Sequence, residues 1–120
     1  MKRINKILLS LFLLLSLFVC KKSNNEVNNE YIEYHFRNDK LLSEHYQKHG
    51  IDMGFKNKQD YEKAASDAVN NPDALHKLEK EDNDDVYYVE ETNEFVIIYK
   101  DDYIRTYFLP DDGKKYFDKQ

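Results

Sequence analysis

The chain has 120 residues, enough for one domain and too few for two. Aromatic residues make up 14% of it, which excludes a wholly disordered chain, and a single cysteine excludes an intrachain disulfide or a cysteine-cluster metal site. A formal charge of −5 excludes a general electrostatic attraction to nucleic acid.

The N-terminal residues have the pattern of an export signal. Three cations come first, at Lys2, Arg3 and Lys6, and a thirteen-residue apolar run follows at residues 7–19. Thirteen helical residues span roughly 20 Å, short of the ~30 Å hydrocarbon core of a bilayer. The pattern therefore predicts a signal peptide at residues 1–19.

The single cysteine, Cys20, lies where the apolar run ends. This position resembles the lipobox of bacterial lipoproteins. The resemblance implies that Cys20 is lipidated and that the protein is exported and membrane-anchored, facing the periplasm or lying on the cell surface. Residues 17–19 (Leu-Phe-Val) are bulkier than the usual lipobox residues. The alternative is an ordinary signal peptide, or a short anchor, with an incidental cysteine.

Residues 20–30 predict a flexible tether behind the lipidated cysteine, because residues 21–30 contain four Asn and one apolar residue. The remaining residues, 31–120, form the predicted domain. Without residues 1–19 the chain has 15 Lys and Arg against 23 Asp and Glu, a net charge of −8.

Helical patterns come first in the domain. Asn38 or Asp39 can cap a helix that ends at Gly50 and carries apolar and histidine side chains on one face. A second helix begins near Asn57 and ends at residues 70–72, Asn-Asn-Pro.

The next segment predicts a third helix and a loop. Pro72 is tolerated in a first helical turn, so it predicts a short helix that carries Leu75 and Leu78. Five of the seven residues at 79–85 are Asp or Glu, which predicts a solvated loop.

Three strand-like runs follow, at residues 86–90, 95–100 and 103–109. Only short turns separate them, and connections this short permit only antiparallel neighbours. A turn at residues 110–113 and a short element at 114–120 end the chain. The predicted class is α+β, with N-terminal helices packed on a small antiparallel β-sheet meander. We expect Ile97 or Ile98, in the most apolar run, to be deeply buried.

Two histidines, His45 and His49, are four residues apart in the first predicted helix. That spacing puts both imidazoles on one side of a helix, as in metal-binding zincin helices, but Tyr46 replaces the Glu of the HExxH motif. A third ligand would have to come from His35, His76 or a carboxylate. The alternative is that both histidines are partly exposed residues with packing roles, and we expect no metal and no other cofactor.

Other side chains that could take part in catalysis lie in the last predicted strand. Alternation predicts that Thr106 shares a face with Ile104 and Phe108, opposite Arg105 and Tyr107. The sequence has no Gly-rich phosphate loop, no GxSxG motif and no cysteine that could serve as a nucleophile. Acid–base or electrostatic chemistry by His, Arg, Thr and Tyr is the enzymatic chemistry that remains.

Several short motifs occur in a fixed order within residues 40–120. They read HYQKHGIDMGF (45–55), KNKQDYEKAA (56–65), TNEF (92–95), IRTYFLPDDG (104–113) and Tyr116-Phe117. In order and spacing they resemble the C-terminal toxin domains of Rhs and contact-dependent inhibition proteins, which belong to the barnase–EndoU–colicin–RelE-like ribonuclease superfamily. The family pattern reads H-F-x-K-H-G-x-E-F-G-F, E-Y-x-x-x-A, R-Y-D, T-N-E-F, I-R-T-F-F-x-P and a final Tyr-Phe.

The resemblance implies a helical pair followed by a four-stranded antiparallel sheet. It also implies metal-free RNA cleavage, in which the 2′-OH attacks the neighbouring phosphate and leaves a cyclic phosphate. On this analogy His45 is the acid or base with His49 beside it, Arg105 and Thr106 contact the scissile phosphate, and Tyr116 offers a hydroxyl or a stacking face. The implied partners are tRNA or another structured RNA and a cognate immunity protein. We expect a monomer that reaches the membrane through its lipid anchor.

Two positions depart from the family pattern. Where the family strand reads V-R-Y-D, this chain has Tyr87 in place of the Arg and Val89 in place of the Asp. Loss of a charge-assisted phosphate donor costs about 2–4 kcal/mol of transition-state stabilisation, so the ribonuclease could be weakened or inactive. An exported protein would also meet RNA only after release or transfer. The alternative function is a non-catalytic surface or periplasmic lipoprotein that binds a protein partner.

Overall fold

The computed structural model describes residues 30–120. The predictions of a signal peptide, of lipidation at Cys20 and of a tether fall almost entirely on residues 1–29 and lie outside the described residues. Within residues 30–120, no helix has the length and apolar character needed to cross a membrane.

The described chain forms three helices, one π-helical segment and five strands. In chain order they are β1 (His35–Phe36), α1 (Asp39–His45), the π-helical segment (Tyr46–Gly50), α2 (Lys58–Val69), β2 (Leu75–Leu78), β3 (Asp85–Val89), β4 (Glu94–Ile98), β5 (Tyr103–Phe108) and α3 (Lys114–Asp118).

The five strands form one sheet in the order β1-β5-β4-β3-β2. Strands β2 to β5 are a meander of antiparallel neighbours, and β1 adds a two-residue parallel pairing to β5. The predicted α+β class with an antiparallel meander is confirmed. The four strands that the family resemblance implies correspond in number to the meander, and β1 is an addition to it.

Side-chain caps start the two longer helices where the sequence predicts. The Asn38 side-chain oxygen accepts the N–H of Leu41 at 2.9 Å, and the Asn57 oxygen accepts the N–H of Asp60 at 2.8 Å. Both helices pack on the same face of the sheet. Their contact with β5 includes a buried hydrogen bond of 2.6 Å, which the Tyr61 hydroxyl of α2 donates to the Tyr107 carbonyl.

The core has two parts, one on each face of the sheet. Under the helices lie the buried residues Phe36, Leu42, Tyr61, Ala65, Ala68, Val89, Val96, Ile98, Ile104 and Tyr107. On the opposite face α3 places Phe117 over Val86, Tyr88, Phe95 and Ile97. Ile97 is 4% exposed and Ile98 2% exposed, which confirms that β4 is the centre of the sheet. Successive residues of β4 therefore pack in opposite parts of the core.

The predicted third helix after Pro72 is wrong, because residues Leu75–Leu78 form strand β2. Leu75 pairs with Tyr88 and Leu78 with Asp85 across an antiparallel ladder. The spacing of the two leucines fits one helical turn, but pairing of this edge strand with β3 outweighs that local preference.

A β-bulge in β5 changes the predicted faces of that strand. Ile97 pairs with Thr106 and Ile98 with Ile104, so Arg105 is an extra residue between the two pairs. Directly paired residues share a face. Thr106 therefore lies on the α3 face with Ile97, whereas Ile104 packs under the helices. The predicted grouping of Thr106 with Ile104 is wrong, and its grouping with Phe108 is confirmed by the pairing of Phe108 with Phe95.

Candidate functional site

A continuous row of aromatic rings runs along the edge of the sheet and contains three of the five predicted catalytic residues. The ring of His45 lies 4.8 Å from Phe36 and 6.2 Å from His49, between ring centroids. His49 stacks on Phe108 at 5.0 Å, and Phe108 meets Tyr116 edge-on at 5.6 Å. The structure thus brings the two histidines together and joins them to Tyr116 through one phenylalanine of β5.

The π-helical segment positions His49. The wider turn begins directly after His45 and runs to Gly50, where a Cβ atom would lie only 2.8 Å from the Tyr61 ring. Glycine is needed there because no side chain fits. The Tyr46 hydroxyl donates to the Phe55 carbonyl at 2.8 Å and ties this segment to the chain beyond it. Single π turns are frequent at functional sites because they re-aim the side chains that follow.

His49 opens onto a cleft of about 670 Å³. One wall comes from the end of the π-helical segment and the turn after it, and the other comes from the end of β5 and the loop that follows. The lining residues are Lys48, His49, Asp52 and Met53 on the first wall, Phe108, Leu109, Pro110 and Asp111 on the second, and Asn93 between them. Of the two histidines, His49 lines this cleft, and His45 lies between His49 and Phe36.

Burial lowers the pKa of both histidines. Desolvation is the largest cause at each, and the positive charge of Lys48 adds to it. His49 in its charged form lowers the pKa of His45 further, whereas Asp52 partly opposes the shift at His49. The Nδ1 atom of His45 is buried without a hydrogen-bond partner. Both imidazoles are therefore held in the neutral form near pH 7, which is the form that accepts a proton.

Arg105 is engaged by carboxylates. Its Nη1 atom donates to Glu79 Oε1 at 2.6 Å and to Asp84 Oδ2 at 2.8 Å, and Asp82 lies 3.7 Å away. Residues 80–83 are exposed, but Glu79 is only 7% exposed and Asp84 5% exposed, so the prediction of a solvated loop at residues 79–85 is wrong for these two carboxylates. These two carboxylates are tolerated in a buried position because the bulge places the Arg105 cation within hydrogen-bond distance of both.

Two further predicted positions lie apart from the cleft lining. Thr106 lies in β5, where it pairs with Ile97 of β4. It precedes Phe108, which lines the cleft, by two positions. Tyr87, which replaces the family's arginine, lies on β3 and stacks on His76 at 4.6 Å. Strand β4 separates β3 from β5, and Tyr87 is not one of the residues that line the cleft.

In the described part of the chain, no third side chain completes a metal-ligand group with His45 and His49. His35 lies 3.2 Å from both Glu33 and Glu62, and His76 lies 2.7 Å from Asp85. Among residues 30–120, the group of three side chains with metal-ligand spacing is instead Glu79, Asp82 and Asp84, whose oxygens lie within 4.8 Å of one another. Arg105 already donates to two of these carboxylates.

A comparison with models of known protein families finds no match, and a comparison with curated proteins finds no similar sequence. The ribonuclease resemblance therefore rests on the short motifs of the sequence and stays a prediction.

Sequence reasoning gave no role to four polar or charged residues that line the cleft. Lys48 and Asp52 lie in the HYQKHGIDMGF motif and Asp111 in the IRTYFLPDDG motif, but they are surface charges and nothing in their spacing indicated a shared cleft. Asn93 belongs to the TNEF motif and occupies a turn between two strands, which is a signal for a structural role. Its backbone φ of 64° is a left-handed conformation that Asn adopts more readily than most residues.

Proposed function

We propose that this domain cleaves RNA without a metal ion, with His49 as the proton-transfer group of the cleft. The observation that supports this most is the position of His49, which lines a cleft of about 670 Å³ and is held there by stacking on Phe108. A positioned histidine with a lowered pKa is suited to act as a general base at neutral pH. The motif resemblance independently implies the same chemistry.

The proposed reaction uses the substrate's own 2′-hydroxyl. Neutral His49 removes the 2′-OH proton, the oxygen attacks the adjacent phosphorus, and the bond from phosphorus to the 5′-oxygen of the next nucleoside breaks. The proton then passes from His49 to that leaving oxygen, which regenerates the neutral imidazole. The products are a 2′,3′-cyclic phosphate and a free 5′-hydroxyl, so no oxidant, metal or water is consumed in this step.

The residue that contacts the negatively charged phosphate differs from the one that the family resemblance implies. Arg105 donates to Glu79 and Asp84, and any phosphate would have to displace those bonds. Lys48 is the cation in the cleft lining, and its side chain is exposed. We therefore propose Lys48 for the phosphate contact that the analogy gives to Arg105. We keep Thr106 of β5 and Tyr116 of α3, whose ring contacts Phe108, as supporting residues.

The test is cleavage of RNA by the purified full chain in EDTA. Wild-type protein should leave 2′,3′-cyclic phosphate ends, and His49→Asn should be slower by about 100-fold, the scale of one positioned acid or base. The matched control is His76→Asn, which removes a histidine that lies on β2 and pairs with Asp85. This control should cleave at the wild-type rate.

Two results would reject the proposal. One is the absence of cyclic-phosphate ends with every RNA preparation tested, including tRNA. The other is equal activity of wild type and His49→Asn, which would place any observed cleavage at another site or in a contaminating nuclease.

A second candidate function is binding of a protein partner by an exported lipoprotein without catalysis. The charge of the cleft favours it, because Asp52 and Asp111 face a single cation, Lys48, among the lining residues. The net charge of −8 behind the predicted signal peptide acts in the same direction. Loss of the ribonuclease proposal in the test above would leave this candidate as the better account.

A further inference from the structure

We infer that Asn93 is a positioning residue that fixes the second wall of the cleft, and through it the affinity for a ligand held between the two walls. This inference rests on the proposed function for the identity of that ligand, an RNA. The placement of the wall itself rests on contacts of Asn93 alone.

The side chain of Asn93 uses both ends of its amide. Its Oδ1 accepts the hydroxyl proton of Tyr88 at 2.6 Å, and its Nδ2 donates to the Pro110 carbonyl at 3.0 Å. The same carbonyl accepts the N–H of Gly113 at 3.2 Å. Asn93 therefore connects the turn between β3 and β4 to the loop that follows β5, seventeen residues further along the chain.

The backbone of Asn93 makes this reach possible. Its N–H donates to the Val89 carbonyl at 2.8 Å, which closes a tight turn, and its φ is 64°. Aspartate and asparagine tolerate that conformation, but an aspartate would place a carboxylate oxygen against the Pro110 carbonyl, where an N–H is required. Asparagine is thus the residue that satisfies the turn, Tyr88 and Pro110 together.

The loop that Asn93 holds is the cleft wall opposite His49. Leu109, Pro110 and Asp111 all line the cleft on that side. Within residues 109–111, Pro110 is buried, whereas Leu109 is 40% exposed and Asp111 is exposed, so this loop has little packing of its own beyond Pro110. Loss of the Asn93 bond would release the loop while Phe108 still stacks on His49, and it should weaken ligand binding more than the proton-transfer step.

The experiment compares Asn93→Gly with Asn83→Gly in the full chain. Both asparagines have a left-handed φ, 64° and 61°, and glycine keeps that conformation at each. Asn83 lies in the β2–β3 connection, away from the cleft lining, so it is the matched control. A third variant, Tyr88→Phe, removes the hydroxyl bonded to Asn93 while keeping a ring to stack on Phe117.

Two quantities are measured. The first is hydrogen exchange of the Gly113 amide, which should become about tenfold faster in Asn93→Gly, the scale of one lost hydrogen bond. The second is the KM for a short single-stranded RNA, which should rise by about tenfold while kcat changes little. Tyr88→Phe should shift both in the same direction by less, and Asn83→Gly should match wild type.

Equal Gly113 exchange in Asn93→Gly and Asn83→Gly would overturn the inference, whatever the activity. A fall in kcat with unchanged KM would also overturn it, because that pattern belongs to a residue acting on the reaction step. If wild type does not cleave RNA, the ribonuclease proposal fails, but faster exchange in Asn93→Gly would still establish that Asn93 holds this wall.

Discussion

Two clusters of chemically capable residues, both predicted from the sequence to serve one site, are in opposite states in the structure. At the edge of the sheet, His45 and His49 lie between aromatic rings, and the Nδ1 of His45 is buried without a partner. Around the bulge of β5, Arg105 is bonded to two buried carboxylates. One cluster has unused hydrogen-bonding capacity, and in the other the charges are compensated.

The difference indicates that the histidine cluster is suited to proton transfer and the Arg105 cluster to stabilising the fold. A buried carboxylate needs a cation, so removing Arg105 should cost stability, whereas a histidine with a lowered pKa and few polar partners contributes little to stability and is available for proton transfer. The same residue types in the sequence therefore have different roles, which depend on what surrounds them in the fold. The following predictions test this contrast, beginning with the largest expected effect.

Arg105→Met should destabilise the domain by about 3 kcal/mol, the lower end for breaking a buried ion pair, because Arg105 itself is partly exposed. Glu79 and Asp84 would remain buried without their cation. For a domain of this size the melting temperature should fall by roughly 12–24 °C. Calorimetry or circular dichroism measures it.

The control for that change is Arg37→Met. Arg37 also pairs with a carboxylate, Asp101, but both side chains are about half exposed, and exposed pairs contribute little. We expect a much smaller change in melting temperature. Similar losses in the two variants would show that the Glu79–Asp84–Arg105 cluster is an ordinary surface contact.

Much of the fold could be predicted from local signals, and the site only in part. Strand-like runs of apolar and aromatic residues between short turns identified β3, β4 and β5, and Asn38 and Asn57 marked the helix starts because capping is a contact between near neighbours. Strand β2 was missed because its ladder with β3, and not its own sequence, decides its conformation. The bonds from Arg105 to Glu79 and Asp84 were missed for a similar reason, since they depend on a bulge in β5 and on carboxylates more than twenty residues away.

A smaller expected effect concerns how the free energy of unfolding depends on pH through His45. The folded state lowers the pKa of His45 below its ordinary 6.5, chiefly by burial, so the unfolded chain takes up a proton more readily as the pH falls through that value. His45 therefore lowers stability progressively below about pH 6.5. His45→Phe keeps a ring beside Phe36 and removes both this titration and the unpartnered Nδ1.

Chemical denaturation at pH 7.5 and 5.5 measures this effect. The loss of unfolding free energy between the two pH values should be smaller in His45→Phe than in wild type, and the variant should be at least as stable as wild type at pH 5.5. An equal loss in both proteins would show that His45 is not held in its neutral form by the fold.

The most direct test of the contrast is the cleavage rate of a short RNA by Arg105→Met and His49→Asn, each measured at a low temperature where circular dichroism shows the protein folded. If the chemistry resides in the histidine cleft, folded Arg105→Met should cleave at a rate close to wild type, and His49→Asn should be slower by about 100-fold although its melting temperature is nearly unchanged. The opposite result, full activity in His49→Asn and loss of activity in folded Arg105→Met, would contradict the account and move the reaction to the carboxylate-bound arginine.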